Sequence, residues 1–215
     1  MRVDSFYAGK KSNPVYIICT SSLQYEKYCN GTEGAGCSLG TPWGESWIVL
    51  NLEGINIDVA SHELSHIELL ERLGWWKITF QVPQWFTEGV ALMLDRRFVY
   101  TSDPVERYME FYDEWLYCTG GGQVILELDE VTSVKQFFAG GQKQVMCAYM
   151  TSGMEVSYWL ASMKKDGFLQ FLVLSNSSAS FESAYRDAEK LNKMRYVGKL
   201  PVNPLRLDGI GKNQD

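Results

Sequence analysis

Both histidines of the 215-residue chain, His62 and His66, sit four positions apart in "ASHELSHIELLERLG", with Glu63 directly after the first. A four-residue step returns to the same face only on an α-helix, so the pair constrains this stretch to be helical and turns both imidazoles to one side. Asp58 is the expected N-cap, and Gly74 the residue that ends the helix just after Arg72 and Leu73. Val59, Leu70 and Leu73 share the histidine stripe, so that face looks inward. With only two histidines to place, the pattern His-Glu-x-x-His arises in roughly one shuffled chain per thousand. The competing explanation is a pair of neutral, hydrogen-bonded helical histidines with a solvated Glu63.

Strands precede this helix and helices follow it. "VYIICTSS" from Val15 and "SWIVLNL" from Ser46 are β-branched or apolar runs separated by a glycine-rich stretch through Gly44. "WKITFQVP" reads as a short extended segment leading to a second helix from about Gln84. Asp103, Pro104 and Glu106 form a helix start signal, and Gly120 to Gly122 a stop. A short helical piece near Val134 follows, then a long helix from about Lys143 to Lys164 closing at Asp166-Gly167, and two more helices in "FLQFLVL" and "SFESAYRDAEKLNKM". The expectation is one α+β domain over 1–205, with a small N-terminal sheet and the histidine helices at about 15–96, a helical lobe at about 97–195, and a cleft between the lobes. Residues 197–215 read as an extended tail.

Composition narrows the function. The net charge of −6 comes without a run of either sign, which argues against a nucleic-acid partner. No apolar stretch approaches the roughly 20 residues of a membrane span, and the start lacks a leader-like apolar run, so a cytoplasmic protein is expected. Of five cysteines, Cys19, Cys29, Cys37, Cys118 and Cys147, none is spaced as a zinc knuckle. Free buried thiols are expected, with Cys29 and Cys37 across "CNGTEGAGC" as the one pair placed for a local disulfide.

Two histidines at i and i+4 aim two nitrogens at one point, and catalytic zinc takes three protein ligands and leaves one position for solvent. Glu63, turned about 100° from His62, reaches metal-bound water rather than the metal and suits a general base. With no third histidine, the remaining ligand must be acidic or a thiol. Glu88, in "WFTEGVALML" 22 residues past His66, is the best candidate, with Gly89 beside it allowing a close approach of the two helices.

At His62-Glu63-x-x-His66 and Trp85-Phe86-Thr87-Glu88-Gly89-Val90-Ala91 the chain resembles the gluzincin metallopeptidases, especially the peptidase-MA-like group. Weaker similarity extends over roughly Val15 to Ala188 and includes Phe181-Glu182-Ser183-Ala184-Tyr185. The resemblance implies a zincin-like fold, bound zinc and a peptide or protein substrate. It also implies an oxyanion-donating tyrosine about sixty residues past the glutamate ligand; Tyr149 fits, with Tyr158 and Tyr112 as rivals, and Gly153 on its helix leaves room against the zinc helix. Substrate would align along an exposed strand before the zinc helix, which makes Trp47 and Val49 substrate-binding candidates; an ordinary interior strand is the alternative. Two departures stand out. Position 92 is leucine where many gluzincins have an aspartate bracing a histidine, so Asp95 or a carbonyl must serve, and the G-x-M-E-N element that binds a free amine is absent. A zinc endopeptidase is expected, with a non-catalytic metal-binding or interaction module as the alternative.

Overall fold

The structure, a computed structural model, describes residues 2–29, 34–193 and 202–206. The tail expected at 197–215 lies outside them except for a single 3₁₀ turn, Pro204–Arg206, as does the middle of the loop at 30–33. The chain forms two compact units, Met1–Val82 with Leu94–Phe98, and Pro83–Met93 with Val99–Asp215.

The first unit contains the small sheet. Strands β1 (Val15–Ile18), β2 (Gly36–Gly40) and β3 (Ser46–Leu50) lie in the order β1-β3-β2, with β1 parallel and β2 antiparallel to β3. Alternation along β3 feeds two cores. Val49 packs with Cys19 and Tyr25 on one face, the latter from α2 (Ser22–Tyr28), while Ile48 and Leu50 are also fully buried. The histidine helix α3 (Ile57–Leu73) lies against β2 and β3. Gly36 permits its approach, because a Cβ there would come within 3.0 Å of both Glu63 Cγ and Val59 Cγ1.

Several local readings change in this unit. The N-cap of α3 is Asn56, whose side chain accepts from the amides of Asp58 and Val59. Asp58 instead binds Arg2 of α1 (Arg2–Tyr7), a helix with no counterpart in the sequence reading. Gly74 does end α3, at φ 84°. "WKITF" is helical, α4 (Trp75–Phe80), not extended. A helix satisfies its backbone groups internally, and the Trp76 and Phe80 rings stack 5.6 Å apart along its face. Cys29 and Cys37 are disulfide-bonded, whereas Cys19, Cys118 and Cys147 are free.

In the second unit α5 (Gln84–Leu92) is buried from Trp85 to its end. Asp103 caps α6 (Pro104–Cys118) through the amides of Val105 and Glu106, and Gly120 to Gly122 follow with positive φ. After α7 (Val134–Phe137), α8 spans Gln142–Ser177 and then α9 Phe181–Lys193. The break in α8 falls at Lys164 (φ 59°, ψ −178°), the expected last residue of the long helix, whereas Asp166-Gly167 do not close it. Gly167 serves packing instead, since a Cβ there would sit 3.2 Å from Asn192 Cγ of α9. Phe86, Trp159, Phe171, Phe181 and Tyr185 form an aromatic core joining α5, α8 and α9. Among the described residues no helix is long and apolar enough to cross a membrane.

Candidate metal centre

On α3 the side-chain nitrogens behave as the four-residue step dictates. His62 Nε2 and His66 Nε2 approach to 3.2 Å. Two nitrogens bound tetrahedrally to zinc at about 2.0–2.1 Å stand roughly 3.4 Å apart, so the pair matches one edge of such a site. The same separation suits an N–H···N hydrogen bond between two imidazoles. His62 is 5% exposed and His66 more open, a gradient that leaves one side of the pair accessible.

Behind His62 lies Asp95, fully buried, its Oδ2 3.4 Å from His62 Nδ1. That distance is long for a hydrogen bond, yet it puts the negative charge on the ring's inner nitrogen. The Asp95 carboxylate accepts from the backbone amide and Nε of Arg97. Burial pulls its proton affinity up, but the contacts with His62 and Arg97 outweigh burial and hold the carboxyl well below the usual carboxylate range. A carboxylate at Nδ1 favours the tautomer with its proton there, which makes Nε2 the acceptor nitrogen, the form that a cation or an N–H donor requires. Leu92 is buried apolar core, and the carboxylate beside His62 is that of Asp95, three positions further along.

Glu63 is 7% exposed and accepts a 2.7 Å hydrogen bond from Ser38 Oγ of β2. Ser38 escaped the sequence reading because its strand, GCSLG, carries two glycines and no β-branched residue. Only the pairing of β2 with β3 reveals it.

The strand expected to hold substrate has no free edge. β3 is central, with Trp47 opposite Val15 on one side and Leu39 on the other, so its main chain is already committed. Val49 is 0% exposed and cannot reach a substrate. Trp47 is half-buried and lines an open surface cavity with Lys11, Asn13, Glu45 and Glu71.

The remaining candidates belong to the second unit. Glu88 is 4% exposed on α5 and accepts 2.7 Å from Gln84 Nε2. Gly89 beside it provides for contact with α8, because a Cβ there would lie 2.6 Å from the Ser152 carbonyl oxygen. Gly153, expected to make room for the zinc helix, packs under Phe111 of α6. Tyr149 is half-buried on α8, its ring edge-on to Phe137 at 5.1 Å. Its rival Tyr158 lies against Tyr108 and under the Arg206 guanidinium, and Tyr112 stacks on Trp115. Comparison of the chain with known protein families, curated proteins and solved structures found no match.

Proposed function

We propose that the protein is a zinc-dependent peptidase of gluzincin type, with His62, His66 and Glu88 as ligands, Glu63 as general base and Tyr149 as oxyanion donor. The observation that supports it best is the 3.2 Å approach of the two Nε2 atoms with Asp95 set against His62 Nδ1. A neutral helical pair needs no buried carboxylate behind it; a metal-binding pair gains ligand basicity from one. Zinc, when bound, supplies a Lewis acid and lowers the pKa of a coordinated water to about 7. The chain's own groups do the rest. Glu63 takes up a proton on its carboxylate, which Ser38 steadies, and passes it to the departing amine. Tyr149 donates its phenolic hydrogen to the developing oxyanion, a service of roughly 3 kcal/mol.

Metal analysis and a peptide-library digest of the purified full-length chain test this. The expected result is about one zinc per chain, lost in His66→Ala, with library cleavage abolished in Glu63→Gln while zinc is retained. Equal zinc in wild type and His66→Ala rules the ligand set out. Zinc in the wild type without cleavage of any library member favours the non-catalytic metal-binding module, and cleavage by Glu63→Gln removes the base from its role.

A further inference from the structure

The sheet has two edges, and β1 is the one remote from the histidine site, separated by β3 from β2, whose Ser38 holds Glu63. Just past the end of β1 the Cys19 amide donates to the Leu50 carbonyl, so Ile17 and Val15, two and four positions back, also turn their main-chain groups toward β3. The alternate residues of such a strand face the other way. Tyr16 and Ile18 therefore aim their N–H and C=O groups outward, and among the described residues no strand takes them. Val15, Tyr16 and Ile18 are apolar yet 59%, 48% and 46% exposed. No charge, proline or bulge guards the edge within Val15–Ile18. At its start Val15 also lines the open cavity, about 430 Å³, that Trp47, Glu45 and Glu71 share with Lys11 and Asn13. Two carboxylates against one ammonium, beside an indole, suit a cation.

We propose that the free edge of β1 binds an extended segment of a partner protein as a fourth strand, with a lysine or arginine of that segment seated in the cavity lined by Glu45, Glu71 and Trp47. The outward groups of Tyr16 and Ile18 bind main chain of any sequence, and the cavity selects the cation. Because β1 is only 4 residues long, edge pairing alone holds a partner weakly, and the charge contact at its end supplies the rest. A second copy of this chain does not meet that demand. Two-fold antiparallel pairing sets Val15 opposite Ile18 of the other copy and runs that copy's Cys19, Thr20 and Ser21 past the cavity, none of them basic. Nothing in this interaction requires zinc or hydrolysis.

Fluorescence anisotropy of labelled peptides titrated with the full-length chain tests the edge. The probes are a peptide of about ten residues, alternating threonine and valine around one central lysine, the same peptide with glutamate in place of the lysine, and the lysine peptide N-methylated throughout. The lysine peptide is expected to bind at least about tenfold more tightly than the glutamate peptide, and the N-methylated one not at all. Ile18→Pro removes an outward N–H, leaves the bonds to β3 in place, and weakens the lysine peptide about tenfold. Glu45→Lys with Glu71→Lys reverses the preference in favour of the glutamate peptide, a gain that misfolding cannot produce. Four results overturn the proposal: equal binding of the lysine and glutamate peptides, undiminished binding of the N-methylated peptide, binding of none of the three, or a wild-type dimer that the lysine peptide does not dissociate.

Discussion

Replacing Arg206 by methionine probes a buried charge of the helical unit, Glu155, that accepts from three residues. Glu155 sits in mid-α8 with its side chain 3% exposed, and it accepts from Tyr185 Oη at 2.7 Å, Asn203 Nδ2 at 2.7 Å and Arg206 Nε at 3.1 Å, with a further bond from Arg206 Nη2. Methionine keeps much of the apolar stem but removes the only cation among these donors. Stripping one partner from a buried pair costs about 3–5 kcal/mol, because the remaining charge stays desolvated. The Arg206 side chain is 27% exposed, so water can reach part of the vacated space and the lower end applies. Its guanidinium also lies 4.9 Å from the Tyr158 ring centroid, a contact worth a further ~0.5–1 kcal/mol. We expect Arg206→Met to cost about 3–4 kcal/mol. Arg206 also pairs with the more exposed Glu189, so Glu155→Gln on top of it removes the more deeply buried of the two stranded charges and recovers at least ~2 kcal/mol, as a coupled pair requires. Urea unfolding followed by tryptophan fluorescence reads this directly, Trp159 being stacked at 4.6 Å on Tyr185. A cost below ~1 kcal/mol for Arg206→Met, or singles that add without coupling, would refute the reasoning.

Two further outcomes follow from the first unit. Asp95→Ala is expected to weaken zinc binding by about 10–100-fold through loss of the charge behind His62, measured by competition with a chromophoric chelator; unchanged affinity removes Asp95 from the site. Burial first, and the Glu63 charge next, push the Tyr25 phenol up to about 12, above its unfolded value near 10. A raised folded pKa means that Tyr25's contribution is fully present below pH 10 and is lost as pH rises through 12, an effect of up to about 2–3 kcal/mol. Tyr25→Phe should flatten that share of the alkaline loss in urea midpoints compared between pH 8 and 11; an unchanged slope contradicts it.

Local chemistry made part of this molecule legible in its sequence. The helix carrying His62, Glu63 and His66 follows from residue spacing, and its end at Gly74 from a glycine able to take positive φ. Asp103 with Pro104 announces α6, and Gly120 to Gly122 end it. These signals act within one or two turns, so their residues determine the outcome alone. The competing cap shows the limit of that reach: Asn56 and Asp58 are both good N-caps, and Asp58 was drawn away by Arg2, which lies 56 residues earlier.

What tertiary structure decided concerns partners distant along the chain. Ser38 reaches Glu63 only because β2 pairs with β3 beneath α3, and no pattern within GCSLG announces a strand. α4 is helical despite its β-prone residues, a local preference that context overrides. β3 took two partners, the interior-strand alternative, and so offers no edge to a peptide. Residue spacing set the two imidazoles on one helix face; the Asp95 carboxylate behind His62 was brought there by packing, which acts through space and leaves no local period to read.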